Sequence, residues 1–303
     1  MITRLTFFVF IVFISNYSWS QHADKKLQQK LSALIQPFHG DVGVYVKNLH
    51  TGKTVAINAD SVYPTASMVK IPILTGIMDK INKDELKFHQ EIVYNDSLLY
   101  PGVDILGSFK NGEKIELGKL MMLMMTMSDN TASRYLQMFA GTGTRINAIL
   151  DSMGFHYTRV NSKTPGREEI WKKYGWGQTT PREMATLLES IYNGKIVSPA
   201  ASSRMLRLIN RNYWDAEAVS QVPPFAAVFS KSGALDEYRS EVVLVRGVKS
   251  AYVFCIITNN NSDKSWTYDN EAWKLIRDVS NVLWNYFEPD NQWKLPSGSE
   301  KFY

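Results

Sequence analysis

One cysteine, five histidines and no apolar run long enough to span a bilayer close off several chemistries in these 303 residues. Cys255 has no partner for an internal disulfide. It sits in the apolar run from Ala251 to Ile257, where a small thiol reads as buried filler. His22, His39, His50, His89 and His156 are scattered, without H-x-H or H-E-x-x-H spacing. With so little cysteine, no metal site is expected. A G-x-S-x-G nucleophile elbow and a glycine-rich nucleotide loop are also missing, and no cofactor is expected. Nor is there a strong charge excess or a basic cluster, which argues against nucleic acid as a partner.

The longest apolar stretch, Leu5 to Ile14, follows Arg4 and precedes the small residues Ser18-Trp19-Ser20. This is the layout of a secretory leader at 1–20, cut near Ser20-Gln21. The run falls well short of the roughly 20 residues that a spanning helix needs. The expected product is exported, periplasmic or secreted, with no stable membrane insertion. Taking Arg4 from 34 basic residues leaves 33 against 29 acidic ones, a net of +4. At 45% hydrophobic and 21% charged the composition is that of a globular protein, and a monomer is expected.

Helical spacing runs from Ala23 to Gln36 through Leu27, Leu31 and Leu34. Alternating β-branched residues then predict a hairpin at Asp41–Asn48 and Thr54–Asn58. The middle of the chain is helical in pattern, at Ile71–Ile81, Leu117–Met127, Thr131–Phe139, Thr144–Met153, Pro181–Tyr192 and Pro199–Leu208. Pro181 and Pro199 stand where helices favour proline. Strand patterns return at Ala226–Lys231, Glu241–Val248 and Ala251–Thr258, before an amphipathic helix at about Asp269–Phe287. Strands at both ends imply one antiparallel sheet joining 21–66 with 210–303, flanked by the terminal helices, with 67–209 as an inserted all-helical subdomain. The fold class is α+β, an α/β sandwich, with a cleft between its two parts.

Three short motifs fall on that frame: Ser67-Met68-Val69-Lys70, Ser128-Asp129-Asn130 and Lys231-Ser232-Gly233. Alone, each has an ordinary reading as a surface pair, a helix cap or a turn. A serine hydroxyl is a weak nucleophile until a neighbour removes its proton. A helix starting near Ser67 places Lys70 one turn on, on the same face. Burial or nearby positive charge would keep that amine neutral. Pro72 requires the helix to begin close to Ser67, and a helix N-terminus favours an oxyanion. Ser128, in a loop between helices, would shuttle a proton to a leaving nitrogen, with Asn130 donating to a substrate amide. Gly233 lets a ligand lie along the strand. Lys231 supplies charge for a carboxylate, beside Ser232, and the Ala234 N–H would complete an oxyanion hole with that of Ser67.

The S-x-x-K, S-D-N and K-S-G set, in this order, resembles the penicillin-recognising serine hydrolases, in which the third motif is K-T-G. The stretches 120–132 and 179–185 closely resemble those of class A β-lactamases, and the likeness extends over about 23–287. It implies an enzyme that opens a β-lactam amide through an acyl-Ser67, with Lys70 as base or relay and Ser128 as shuttle. Asn130, Lys231, Ser232, Gly233 and the Ala234 backbone would bind the substrate. The family's deacylating glutamate lies before the Thr179-Thr180-Pro181 run. There this chain offers Glu168, with Glu169 as the alternative, but no Leu-Asn follows and the loop is short. Arg239 lies near the place of a carboxylate-holding arginine, although a one-residue slip would reverse its face. A D-alanyl-D-alanine peptidase and a non-hydrolysing penicillin-binding protein share the acyl-serine chemistry and stand as alternatives.

Overall fold

The computed structural model describes residues 23–102 and 104–302. The leader expected at 1–20 lies outside them. The chain opens with helix α1 (Lys25–Ile35), strands β1 (Asp41–Asn48), β2 (Thr54–Ile57) and β3 (Tyr63–Pro64), and helix α2 (Lys70–Asn82). Strands β4 (Glu91–Val93) and β5 (Lys114–Glu116) lead into helices α3 (Leu117–Met122), α4 (Asn130–Phe139) and α5 (Thr142–Ser152). Strand β6 (Arg159–Val160), helix α6 (Glu168–Tyr174) and strand β7 (Gly177–Thr179) precede helices α7 (Pro181–Tyr192) and α8 (Pro199–Ile209). Strands β8 (Ala227–Leu235), β9 (Tyr238–Arg246) and β10 (Ala251–Asn259), then helix α9 (Glu271–Phe287), complete the frame.

The main sheet is antiparallel in the order β2-β1-β10-β9-β8. Its register pairs Asp41 with Asn259 and Asn48 with Tyr252, so the two ends of the chain share one sheet, as the α+β reading requires. Alternation along the strands sends side chains to two cores. Val44, Val243, Phe254 and Ile256 pack with Leu27 and Leu31 of α1 and with Val279 and Leu283 of α9. Val242, Leu244, Val253 and Cys255 face the other way, into the core built by the central helices, which includes Met184 and Leu187 of α7. A strand covered on both faces reads as an unbroken apolar run, which accounts for Ala251–Ile257. Cys255 is fully buried and its thiol pKa is raised by burial, so it is inert filler.

The stretch expected to be all-helical, 67–209, also carries the short strands β4, β5, β6 and β7, and other elements differ from the sequence pattern as well. The helix expected over 117–127 is α only to Met122 and continues as a π-turn, Leu123–Met127. The strand carrying Lys231 does not stop there. It runs to Leu235, because Ser232, Gly233 and Ala234 pair with Glu241, Ser240 and Arg239. The segment expected as a loop before Thr179 contains α6, bounded by Gly166 and Gly175 at positive φ. Among the described residues no helix is long and apolar enough to cross a membrane.

Candidate active site

Ser67 lies in a 3-10 turn, Ala66–Val69, that runs directly into α2. Pro72 falls in the first turn of α2, where its missing N–H costs no hydrogen bond. The turn is entered through Ala66 at φ +42°, a left-handed conformation that a non-glycine residue adopts only under constraint. It is tied to the small three-stranded sheet β3-β7-β6, where Thr65 N–H donates to Gly177 O at 3.0 Å.

Lys70 has no solvent exposure, and its Nζ has four oxygen neighbours. They are Ser67 Oγ at 2.9 Å, Ser128 Oγ at 2.9 Å, Ser128 O at 2.6 Å and Asn130 Oδ1 at 2.8 Å. The two carbonyl oxygens only accept. A neutral amine meets this set well: its two N–H groups go to the carbonyls and its lone pair is left for a hydroxyl proton. Burial first, and then the charge of Lys231, hold the Lys70 pKa well below the usual lysine range. This is the condition for a general base.

Ser128 ends the π-turn in a left-handed conformation, φ +58°, which aims its hydroxyl back at Lys70. The loop is braced by two aspartates. Asp129 caps α4 by accepting from Ala132 N–H at 2.7 Å and also accepts from Leu106 N–H at 2.9 Å. Asp104 accepts from Asn130 N–H at 2.9 Å and Thr131 N–H at 2.8 Å. Asn130 is thus fixed by its backbone and by Lys70, which leaves its Nδ2 donors for a ligand. Asp104 has no motif around it. Only the fold brings it to α4, so sequence reasoning had no handle on it.

Strand β8 forms the opposite wall. A Cβ at Gly233 would lie 2.6 Å from Thr65 O and 2.9 Å from Ser67 N. Glycine is therefore what lets the strand approach the nucleophile, so that Ser67 and Ala234 line the same cavity. Ser232, Gly233 and Ala234 line a cavity of about 670 Å³ together with Ser67, Ser128 and Asn130. Lys231 is fully buried behind that wall, with Nζ donating to Ser232 O at 2.9 Å, and burial lowers its pKa to about 8. Its charge acts on the site through space, as its effect on Lys70 shows.

Three expected residues do not line the cavity. Arg239 is on the α9 side of β9, its guanidinium between Trp266 and Trp273 with 4.5 Å to each ring centroid. It donates to Tyr238 O and Ser265 O. The strand position that faces the cavity opposite Gly233 belongs to Ser240. Glu168 and Glu169 are corrected likewise. The segment coils into α6, whose first turn points both carboxylates at solvent. Glu168 accepts from Gly166 N–H at 3.1 Å, and Glu169 pairs with Lys172 at 2.6 Å. Neither lines the cavity. The carboxylates that act on Lys70 are Asp104 and Asp129.

A model of the beta-lactamase enzyme family matches residues 26–287. The chain belongs to that family. Among curated β-lactamases it is 22% identical to VEB-1 of Pseudomonas aeruginosa, over 89% of this chain and 93% of that protein. It is 24% identical to AER-1 of Aeromonas hydrophila, over 69% of each. Two solved structures share the β-lactamase fold seen here. A point mutant of PBP-A, described as an acyl-enzyme complex with penicillin G, superposes with a TM-score of 0.78 at 24% identity, covering 88% of this chain and 98% of that one. An ancestral class A β-lactamase gives a TM-score of 0.76 at 21% identity, over 86% and 100%. In this chain Ser67, Ser128 and Asn130 line one cavity and meet at the Lys70 amine.

Proposed function

We propose that the protein is a class A-like serine β-lactamase, which opens the cyclic amide through an ester on Ser67. The observation that carries this reading is that one buried amine, Lys70 Nζ, lies within 2.9 Å of both Ser67 Oγ and Ser128 Oγ. As Ser67 Oγ bonds to the amide carbon, its proton passes to Lys70 Nζ. The carbonyl electrons move to an oxygen held by the Ser67 and Ala234 N–H groups. Collapse breaks the C–N bond. The nitrogen takes the proton of Ser128 Oγ, which is replaced from the Lys70 ammonium. Lys70 is then neutral again, beside an ester.

Hydrolysis of that ester needs a base for water. Glu168 and Glu169 face solvent, Asp104 and Asp129 are committed to backbone N–H groups and Glu217 is paired with Arg277, so the regenerated Lys70 amine serves as the base. Water attack gives Lys70 the proton, and the departing Ser67 Oγ recovers it. The exposure of both glutamates also supports a second reading, in which the ester persists and the protein behaves as a penicillin-binding protein. The cavity of about 670 Å³ beside Ser67 suits a small β-lactam. The leader pattern at 1–20 supports export. Time-resolved intact mass of residues 21–303 with a penicillin tests the proposal. A transient adduct that decays as hydrolysed drug accumulates supports the β-lactamase reading. A stable adduct supports the second, and no adduct overturns both.

A further inference from the structure

The Ser128 hydroxyl owes its direction to a left-handed backbone, φ +58° and ψ +30°, which a serine keeps only under constraint. Two peptide planes meet at its Cα, and each is pinned at both ends. In the plane that follows, Ser128 O accepts from Lys70 Nζ at 2.6 Å and Asp129 N–H donates to Leu123 O at 3.1 Å. In the plane that precedes, Ser128 N–H donates to the same Leu123 O, and Met127 O accepts from the Trp214 indole Nε1–H at 2.9 Å. Three of these four bonds are made by Lys70 or within the turn itself. The fourth comes from 87 residues further along the chain.

Trp214 is itself held between the two walls of the cleft. Tyr213 N–H donates to Thr126 O at 3.0 Å, so the same segment also takes the carbonyl before Met127. Asn212 accepts from Trp214 N–H at 3.2 Å and donates to Trp214 O at 2.9 Å and to Ser230 Oγ at 3.0 Å. Ser230 is the neighbour of Lys231 on β8. Residues 212–214 therefore strap the end of the π-turn to the opposite strand, and the indole is where the strap reaches the Ser128 peptide. Trp214 is 51% exposed at the cavity rim. An indole so exposed can give its N–H to water, so burial does not demand that it be aimed at a carbonyl.

We propose that Trp214 is a positioning residue for proton delivery to the leaving nitrogen: its indole N–H holds the Met127–Ser128 peptide so that the Ser128 hydroxyl stays turned toward Lys70. This rests on Ser128 as the shuttle. Without the indole, water satisfies Met127 O but does not fix it in space. The peptide can then rotate, and Ser128 leaves its left-handed form.

The test is a double-mutant cycle on the rate of acylation by a penicillin, followed by intact mass. Trp214→Phe keeps a ring at the rim and removes the donor. It should slow acylation about tenfold, the order of a sub-ångström misplacement. Ser128→Ala should slow it by about 10²–10⁴-fold. Adding Trp214→Phe to Ser128→Ala should then change the rate by less than about twofold, because no hydroxyl is left to place. Asn212→Ala, which loosens the strap from outside the cavity lining, should show the same dependence on Ser128. A ring that touches the substrate, or one that only stabilises the fold, loses the same factor in both backgrounds. Additive losses would therefore overturn the proposal, as would a wild-type rate in Trp214→Phe. A wild-type rate in Ser128→Ala would instead remove the shuttle, and the positioning role with it.

Discussion

The amine of Lys70 and the hydroxyl of Ser67 are 2.9 Å apart at a point where the lysine has no contact with solvent. Only the neutral amine accepts the serine proton. Acylation should therefore fall as pH drops through the lowered Lys70 pKa. Lys70→Ala should slow acylation by about 10²–10⁴-fold. A pH profile of the acylation rate checks both; an unchanged rate in the variant would remove Lys70 as the base.

Glu168→Gln and Glu169→Gln should each leave the decay of the acyl-enzyme within about twofold, as expected for exposed groups with local partners. A large loss of deacylation in either variant would restore that glutamate to the mechanism. Single-turnover kinetics followed by mass distinguish the two outcomes.

Gly233→Ala would place a methyl 2.6 Å from Thr65 O and 2.9 Å from Ser67 N. Both neighbours are backbone, so the strand or the nucleophile turn must move. A displacement approaching 1 Å costs on the order of 10² in rate, and the variant should acylate at least that much more slowly. Wild-type acylation rates in this variant would mean that the close approach is dispensable.

Asp104→Ala frees the first two N–H groups of α4 and the backbone of Asn130. It should cost about 1–2 kcal/mol in stability, as loss of a helix cap does, and weaken acylation through Asn130. Asp104→Asn should fall between. Urea denaturation and acylation rates on the three proteins measure this, and equal stability of all three would contradict the bracing role.

Glu241 is wholly buried on β9 beside the Lys231 strand, and burial pushes its carboxyl pKa up from 4.5 to about 8. Folding thus retains a proton that the unfolded chain releases. The resulting stability is complete below pH 4.5 and is lost as pH rises toward 8. Glu241→Gln should flatten that decline and raise stability at the upper end by on the order of 1–3 kcal/mol. Glu217, raised to about 7 by burial, would leave a smaller residual slope. Urea melts across this range decide it; an unaltered slope would show that Glu241 contributes none of it.

The sheet was legible because burial on two faces writes itself into β10 as continuous apolar residues. The long helices were legible because their proline starts and apolar spacing agree. Lys70 and Asn130 were reachable because each sits at a short fixed offset from a serine. Arg239 was not, since the tight Asp236-Glu237 turn sets which face it takes, and register is a property of two strands together. Helix α6 is amphipathic in neither pattern, with no buried residue in its seven. Its charged residues gave no period to read, so the fate of Glu168 and Glu169 was hidden. Asp104 reaches Asn130 across 26 residues of chain, a distance that no local signal covers.

The pairing of β1 with β10 joins residues more than 200 positions apart, as Asp41 with Asn259. Such contacts form only after the chain has closed a very large loop, and folds dominated by them are slow. Strand β8 is held to that sheet through β9, and α9 follows last in sequence. The Ser67 turn and its lysine come early in the chain, directly after β1, β2 and β3. The wall that faces them has to wait for the ends to meet, so competence to react is among the last properties the molecule acquires as it folds.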